Sequence, residues 1–193
     1  MEVLMMRKVY SFVALITMAV AAQAFGQQLP IEVYYSPKGG CTDACVRELN
    51  SARSSVLVQA YSFTSAPIAK ALIDASKRGV HVEVILDKSN LSDKYSAADF
   101  VHNMGIPTRI DSQHAIAHNK IMIIDGQTVV TGSFNFTKQA ETSNGENLLV
   151  IHDAGLAAKY TSNWQMHAAH SEVYNGKGAE EPKTATRTRK KAA

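Results

Sequence analysis

One run of residues constrains the fold of this chain more than any other. From Ser55 to Phe63 it carries Val56, Leu57, Val58, Ala60, Tyr61 and Phe63. The run is too short for a buried helix, and strand side chains alternate between faces. It therefore reads as a strand that is apolar on both sides and covered on both. Its neighbours supply the cover. Pro67 sits where a helix starts, and Ile68, Ala71, Leu72 and Ala75 form an apolar stripe that ends at Gly79. Further strands are expected over Ile31 to Ser36, Val80 to Leu86, Ile106 to Ile110, Lys120 to Ile124, Thr128 to Thr131 and Leu148 to Ile151. Helices are expected from a cap at Thr42 or Asp43 to about Arg53, over Ser96 to Met104, and over Ala154 to His170, where Leu156, Tyr160, Trp164 and His167 share one side. Pro107 places its strand near an edge. Strands alternating with helices imply an α/β sandwich: a mixed β-sheet with helices on both faces.

Asp125-Gly126 is a turn dipeptide, and it joins Lys120–Ile124 to Thr128–Thr131 in a hairpin. His118 and Lys120, two residues apart, project together from the start of the first strand. The second strand runs on into Gly132-Ser133-Phe134-Asn135, so the hairpin returns Ser133 and Asn135 beside His118 and Lys120. An imidazole, an ammonium, a hydroxyl and a carboxamide then converge. Such a set suits a phosphodiester: the cation and amide stabilise charge on non-bridging oxygens, and the imidazole attacks phosphorus or moves protons near neutral pH. None of these groups needs a metal. Spacing alone serves equally well for a hairpin whose polar ends face water.

His118-x-Lys120-x4-Asp125 followed by Gly132-Ser133-x-Asn135 resembles the motif of the phospholipase D superfamily, and most closely its compact, single-motif bacterial endonucleases. The resemblance spans about Leu29 to His170. It implies a phospholipase D-like α/β sandwich and a two-step reaction through a phosphohistidine. By that likeness His118 is the nucleophile, and Lys120 and Asn135 bind phosphate. Ser133 supports the phosphate pocket or orients its donors, and Asp125 fixes the turn. Glu146, in Gly145-Glu146-Asn147, is the carboxylate expected to orient the imidazole. The likeness implies neither cofactor nor metal. Larger relatives carry the motif twice and this chain carries it once, so the two histidines of the reaction are expected from a homodimer with the active site on its two-fold axis.

The ends of the chain suggest where it works. Arg7 and Lys8 precede an uncharged, mostly apolar run from Val9 to Ala22, and Ala22-Gln23-Ala24 has the form of a signal-peptidase site. Residues 1–24 read as a secretory signal, 25–174 as the catalytic domain and 175–193 as a flexible basic tail. The run is shorter than the roughly 20 residues of a spanning helix. The expected product is periplasmic or secreted and keeps no stable membrane anchor. The formal charge of +3 permits a polyanionic partner without demanding one. Cys41 and Cys45 are the only cysteines; a disulfide between them fits an oxidising compartment but needs a non-helical start there.

Several residues carry two readings. Tyr61 could stack on bases, while Phe63 suits the core. Phe134 and Phe136 could wall the site or anchor its loop. Lys88, Lys94 and Arg109 could line a phosphate groove. His114 reads as a loop residue near the site, and His167 and His170 as packed or solvated. The leading function is a metal-independent endonuclease acting on DNA and possibly RNA. A lipid phosphodiesterase would use the same residues, and a non-catalytic nucleic-acid-binding protein comes last because the full set is present.

Overall fold

The computed structural model describes residues 31–177. The expected leader and residues 178–193 of the expected tail lie outside them. The strands are β1 (Ile31–Ser36), β2 (Ser55–Ala60), β3 (His81–Asp87), β4 (Thr108–Asp111), β5 (Lys120–Ile124), β6 (Thr128–Gly132), β7 (Glu146–His152) and β8 (Glu172–Val173). The helices are α1 (Cys41–Ser51), α2 (Ala66–Lys77), α3 (Ala98–Asn103), α4 (Lys138–Thr142) and α5 (Ala154–His170). The strands form one mixed sheet in the order β1-β7-β6-β5-β2-β3-β4-β8. β2, β3 and β4 run parallel, and every other pairing is antiparallel. β4 has only the two-residue β8 outside it, as Pro107 foretells.

Strand alternation divides the core in two. Val56, Val58, Met122, Ile124, Val130, Leu148 and Val150 face α1 and α2. Ile85, Ile121, Ile123 and Val129 face α5, where Ala157 and Trp164 meet them. β2 lies in the middle of the sheet with Leu57 and Gln59 on the α5 side, so its near-continuous apolar run answers to cover on both faces. The Trp164 indole N–H donates to the Val58 carbonyl at 2.9 Å, which pins α5 to the central strand. Burying that indole uses both its apolar body and its one donor.

The hairpin turn forms because Asp125 and Gly126 both adopt positive φ, 54° and 63°. That pair of left-handed residues matches the twist of the flanking strands. α1 departs from expectation. It starts at Cys41 with Gly40 as its cap residue and no local side-chain cap. Its free amides are met instead by the Glu141 carboxylate, which accepts from Thr42 N–H at 2.7 Å and from Gly40 N–H at 3.3 Å. Cys41 and Cys45 are one helical turn apart, buried and free. A helix holds their sulfurs in a poor geometry for a bridge, and burial pushes the Cys41 thiol up to about 11.

Candidate active site

The edge of the sheet where β2 ends and β5 begins carries the expected chemistry. Tyr61 follows β2, and its N–H donates to the Asn119 carbonyl at 2.8 Å. That bond holds the residues just before β5 against the end of β2. His118 is exposed there, while Lys120 is buried. The Lys120 ammonium donates to the His118 carbonyl at 2.8 Å and lies 3.0 Å from His118 Nδ1. Tyr61 backs both: its ring centre is 4.6 Å from that of His118 and 5.0 Å from Lys120 Nζ. Burial holds the Lys120 pKa below the usual lysine range, and the nearby Glu146 carboxylate draws it partly back. A desolvated cation beside an exposed imidazole is poised for a dianionic transition state.

The hairpin register pairs Met122 with Val130, and extending it by two residues sets Lys120 opposite Gly132. Gly132 has φ 145°, and a Cβ there would lie 2.3 Å from the Asn147 carbonyl. Only glycine allows this approach. It lets Ser133 N–H and Phe134 N–H both donate to Asn147 O, at 3.1 and 3.2 Å. The Ser133 hydroxyl donates to Glu146 at 2.6 Å and accepts from the Asn147 backbone N–H at 3.1 Å. Asn144 donates to the other Glu146 oxygen at 3.2 Å. The Ser133 proton is thus committed to Glu146, so Ser133 orients that carboxylate.

Of the expected residues, His118 and Lys120 meet directly, and Ser133 and Glu146 form a second group beside them. Glu146 bonds to Ser133 and Asn144, and the atom next to His118 Nδ1 is Lys120 Nζ. Asn135 contributes a buried Oδ1 with no hydrogen-bond partner. It also lines a groove of roughly 700 Å³ with Tyr61, Ser62, Tyr95, Lys138 and Asn144. Asp125 lies at the far end of β5, about 16 Å along the strand from Lys120. There it accepts hydrogen bonds from the N–H groups of Arg53, Ser54 and Ser55 and from the Ser54 hydroxyl, at 2.8–2.9 Å for the best of each.

Phe134 and Phe136 are fully buried and anchor the loop, with Phe136 edge-on to the buried Phe63 at 6.4 Å. Lys88 donates to the His114 carbonyl at 2.9 Å, and neither it, Lys94 nor Arg109 lines the groove. Asn144 and Asn147 escaped the sequence reading. Their only signal is adjacency to Glu146, and asparagines beside a strand end are common in turns.

A family model described as "Cardiolipin synthase, PLD-like domain" matches residues 45–167. The chain is 42% identical over 141 residues to a protein named phospholipase D from Rickettsia bellii, covering 73% of this chain and 70% of that one. Among solved structures, Nuc from Salmonella typhimurium, a phospholipase D family member, superposes with a TM-score of 0.74 at 41% identity. The match covers 76% of this chain and 99% of Nuc. NucT from Helicobacter pylori superposes with a TM-score of 0.70 at 25% identity, covering 76% of this chain and 100% of NucT.

Proposed function

Because the chain belongs to the phospholipase D superfamily and is a phosphodiesterase of that kind, we propose that it is a metal-independent endonuclease of DNA, and of RNA where the strand fits. The observation that carries this reading is the groove that meets the site at Tyr61 and Asn135. Side chains with hydroxyls and amides line it, among them Ser62, Thr64, Thr137, Gln139, Ser143 and Asn144, together with Lys138 and the carboxylate of Asp93. An acyl chain would need an apolar channel; a sugar-phosphate backbone suits polar walls. Tyr95 is 74% exposed at the groove, where its ring is free to stack on a base.

The chemistry follows from the contacts. Lys120 Nζ beside His118 Nδ1 marks that nitrogen as the acceptor, which leaves the hydrogen of the neutral ring on Nε2. Attack through Nε2 needs the other tautomer. As phosphate arrives, the Lys120 ammonium turns from the ring to a non-bridging oxygen, the Nε2 proton passes to solvent while Nδ1 takes one up, and the new Nδ1–H donates to Glu146. Nε2 then attacks phosphorus. The N–P bond forms, the P–O bond breaks, and the leaving oxygen takes a proton from His118 of a second copy. Water, giving its proton to that second imidazole, cleaves the N–P bond and frees both histidines.

A second copy of this chain is therefore part of the proposal. β1 is a sheet edge, and Ile31, Val33 and Tyr35 on one of its faces are 54%, 47% and 67% exposed. Tyr35 pairs with Asn147, the partner of Ser133, so this apolar strip runs up to the site. A homodimer would cover it and bring the second histidine. The leader-like residues 1–24 support export to the periplasm or beyond.

The test is plasmid nicking by wild type and His118→Ala, with EDTA added together with the substrate. Nicking by wild type alone supports the reading, with His118→Ala slower by at least about 10⁴-fold. Nicking that requires added Mg2+ overturns the mechanism. Absence of nicking under both conditions moves the substrate to phospholipid, and an active monomer in solution overturns the dimer.

A further inference from the structure

The described residues bring a second constellation together outside the site, and nothing in the phosphodiesterase chemistry uses it. Asp111 ends β4, His114 lies in the following loop, and His167 and His170 are three apart on the last turn of α5. One ligand atom from each lies within 4.8 Å of all the others. Asp111 is fully buried, and its two oxygens are 3.2 Å from His114 Nδ1, 2.7 Å from His167 Nδ1 and 3.3 Å from His170 Nε2. The three imidazole centres are mutually 4.9–5.3 Å apart.

Direct hydrogen bonding accounts for only part of the group. His167 and His114 bond to the carboxylate at 2.7 and 3.2 Å, but His170 Nε2 is buried and makes no hydrogen bond despite its 3.3 Å approach. A tetrahedral ion with bonds of about 2.0–2.1 Å sets its ligand atoms roughly 3.3 Å apart, and two of the three spacings around Asp111 already have that value. The 2.7 Å pair would open by about 0.6 Å as the ion enters. Gln113 N–H donates to Asp111 Oδ1 at 3.2 Å, a support that orients a ligating carboxylate. Three imidazoles and one carboxylate suit a borderline cation such as zinc and leave a four-coordinate ion no open position.

We propose that Asp111, His114, His167 and His170 form a structural site for a zinc-class transition metal, which ties the segment leading into His118 to β4 and α5. The segment is already held at two points. Ala117 N–H donates to Asp87 at 2.7 Å, and Lys88 donates to His114 O at 2.9 Å. A metal bond at His114 adds a third anchor four residues before the nucleophile. The metal fixes backbone and takes no part in phosphoryl transfer.

The test is titration of Co2+ and Zn2+ into chelator-treated full-length protein, beside His114→Ala, His170→Ala and His118→Ala. Expected are one equivalent of bound metal, the intense visible bands of four-coordinate cobalt, a rise in Tm of several degrees with zinc, and slower amide exchange over residues 112–118. His118→Ala should bind as wild type does, so the result stands whatever the substrate proves to be. His114→Ala alters an exposed loop side chain and should stay folded by circular dichroism while losing the cobalt bands. No binding by the wild type overturns the proposal, and so do wild-type stoichiometry and spectrum in both His114→Ala and His170→Ala.

Discussion

Asp125 offers a sharp test of how this fold uses its motif. Its carboxylate accepts from three consecutive backbone amides and one hydroxyl, and so ties the α1–β2 connection to the β5–β6 turn. The donors sit near the surface, where water replaces a lost acceptor, so each bond is worth about 0.5–1 kcal/mol rather than the full charge-assisted value. Asp125→Ala therefore loses roughly 2–4 kcal/mol in hydrogen bonds. Alanine at φ 54° adds about 1 kcal/mol of backbone cost. Asp125→Asn tolerates that φ and keeps one acceptor, so its loss should be about 1–2 kcal/mol. Urea unfolding of the three proteins gives these differences. The pH dependence fixes the cause. Burial would raise the Asp125 pKa, but the hydrogen bonds from Ser55, Ser54 and Arg53 outweigh it and hold it below the usual range. A depressed folded pKa means stability that is fully present above the unfolded value of about 3.9 and lost as pH falls through the folded one. The gap between wild type and Asp125→Asn should thus close below about pH 4. Turnover of folded Asp125→Asn should stay within about twofold of wild type, because the site is roughly 16 Å away along the strand. A large fall in kcat with unchanged stability would refute this reasoning.

Two further outcomes follow. Gly132→Ala must push Asn147 aside, since the new Cβ would sit 2.3 Å from its carbonyl; it should cost about 1–3 kcal/mol in urea unfolding and lower kcat on the order of 10²-fold by displacing Ser133 and Glu146. Glu146→Gln removes the charge that supports the buried Lys120 ammonium, so the alkaline limb of kcat/KM should move to lower pH. A limb that stays in place would show that the two groups are uncoupled.

Much of this architecture is legible in the sequence because it is set by local pattern. The β2 run announces cover on two faces, Asp125-Gly126 announces the hairpin, and the hairpin delivers Gly132 and Ser133 opposite Lys120 and its neighbours. What escapes is whatever two distant segments make together. The cap of α1 is Glu141, about a hundred residues away, so Thr42 and Asp43 look like better caps than they are. The Asp111 cluster joins a loop to the end of α5. Read along the chain, His167 and His170 are two polar residues on a helix, and His114 is four residues from the wrong histidine. Lys88 looks like a free surface cation until its partner, the His114 carbonyl, is seen.

The central claim is that His118 attacks phosphorus and that water arrives second. The stereochemical course at phosphorus tests it most directly, with a chiral phosphorothioate diester as substrate and isotopically labelled water. Two in-line displacements, through His118 and then through water, give net retention of configuration. Net inversion would mean that water attacks the diester in a single step, and it would contradict the role assigned here to His118.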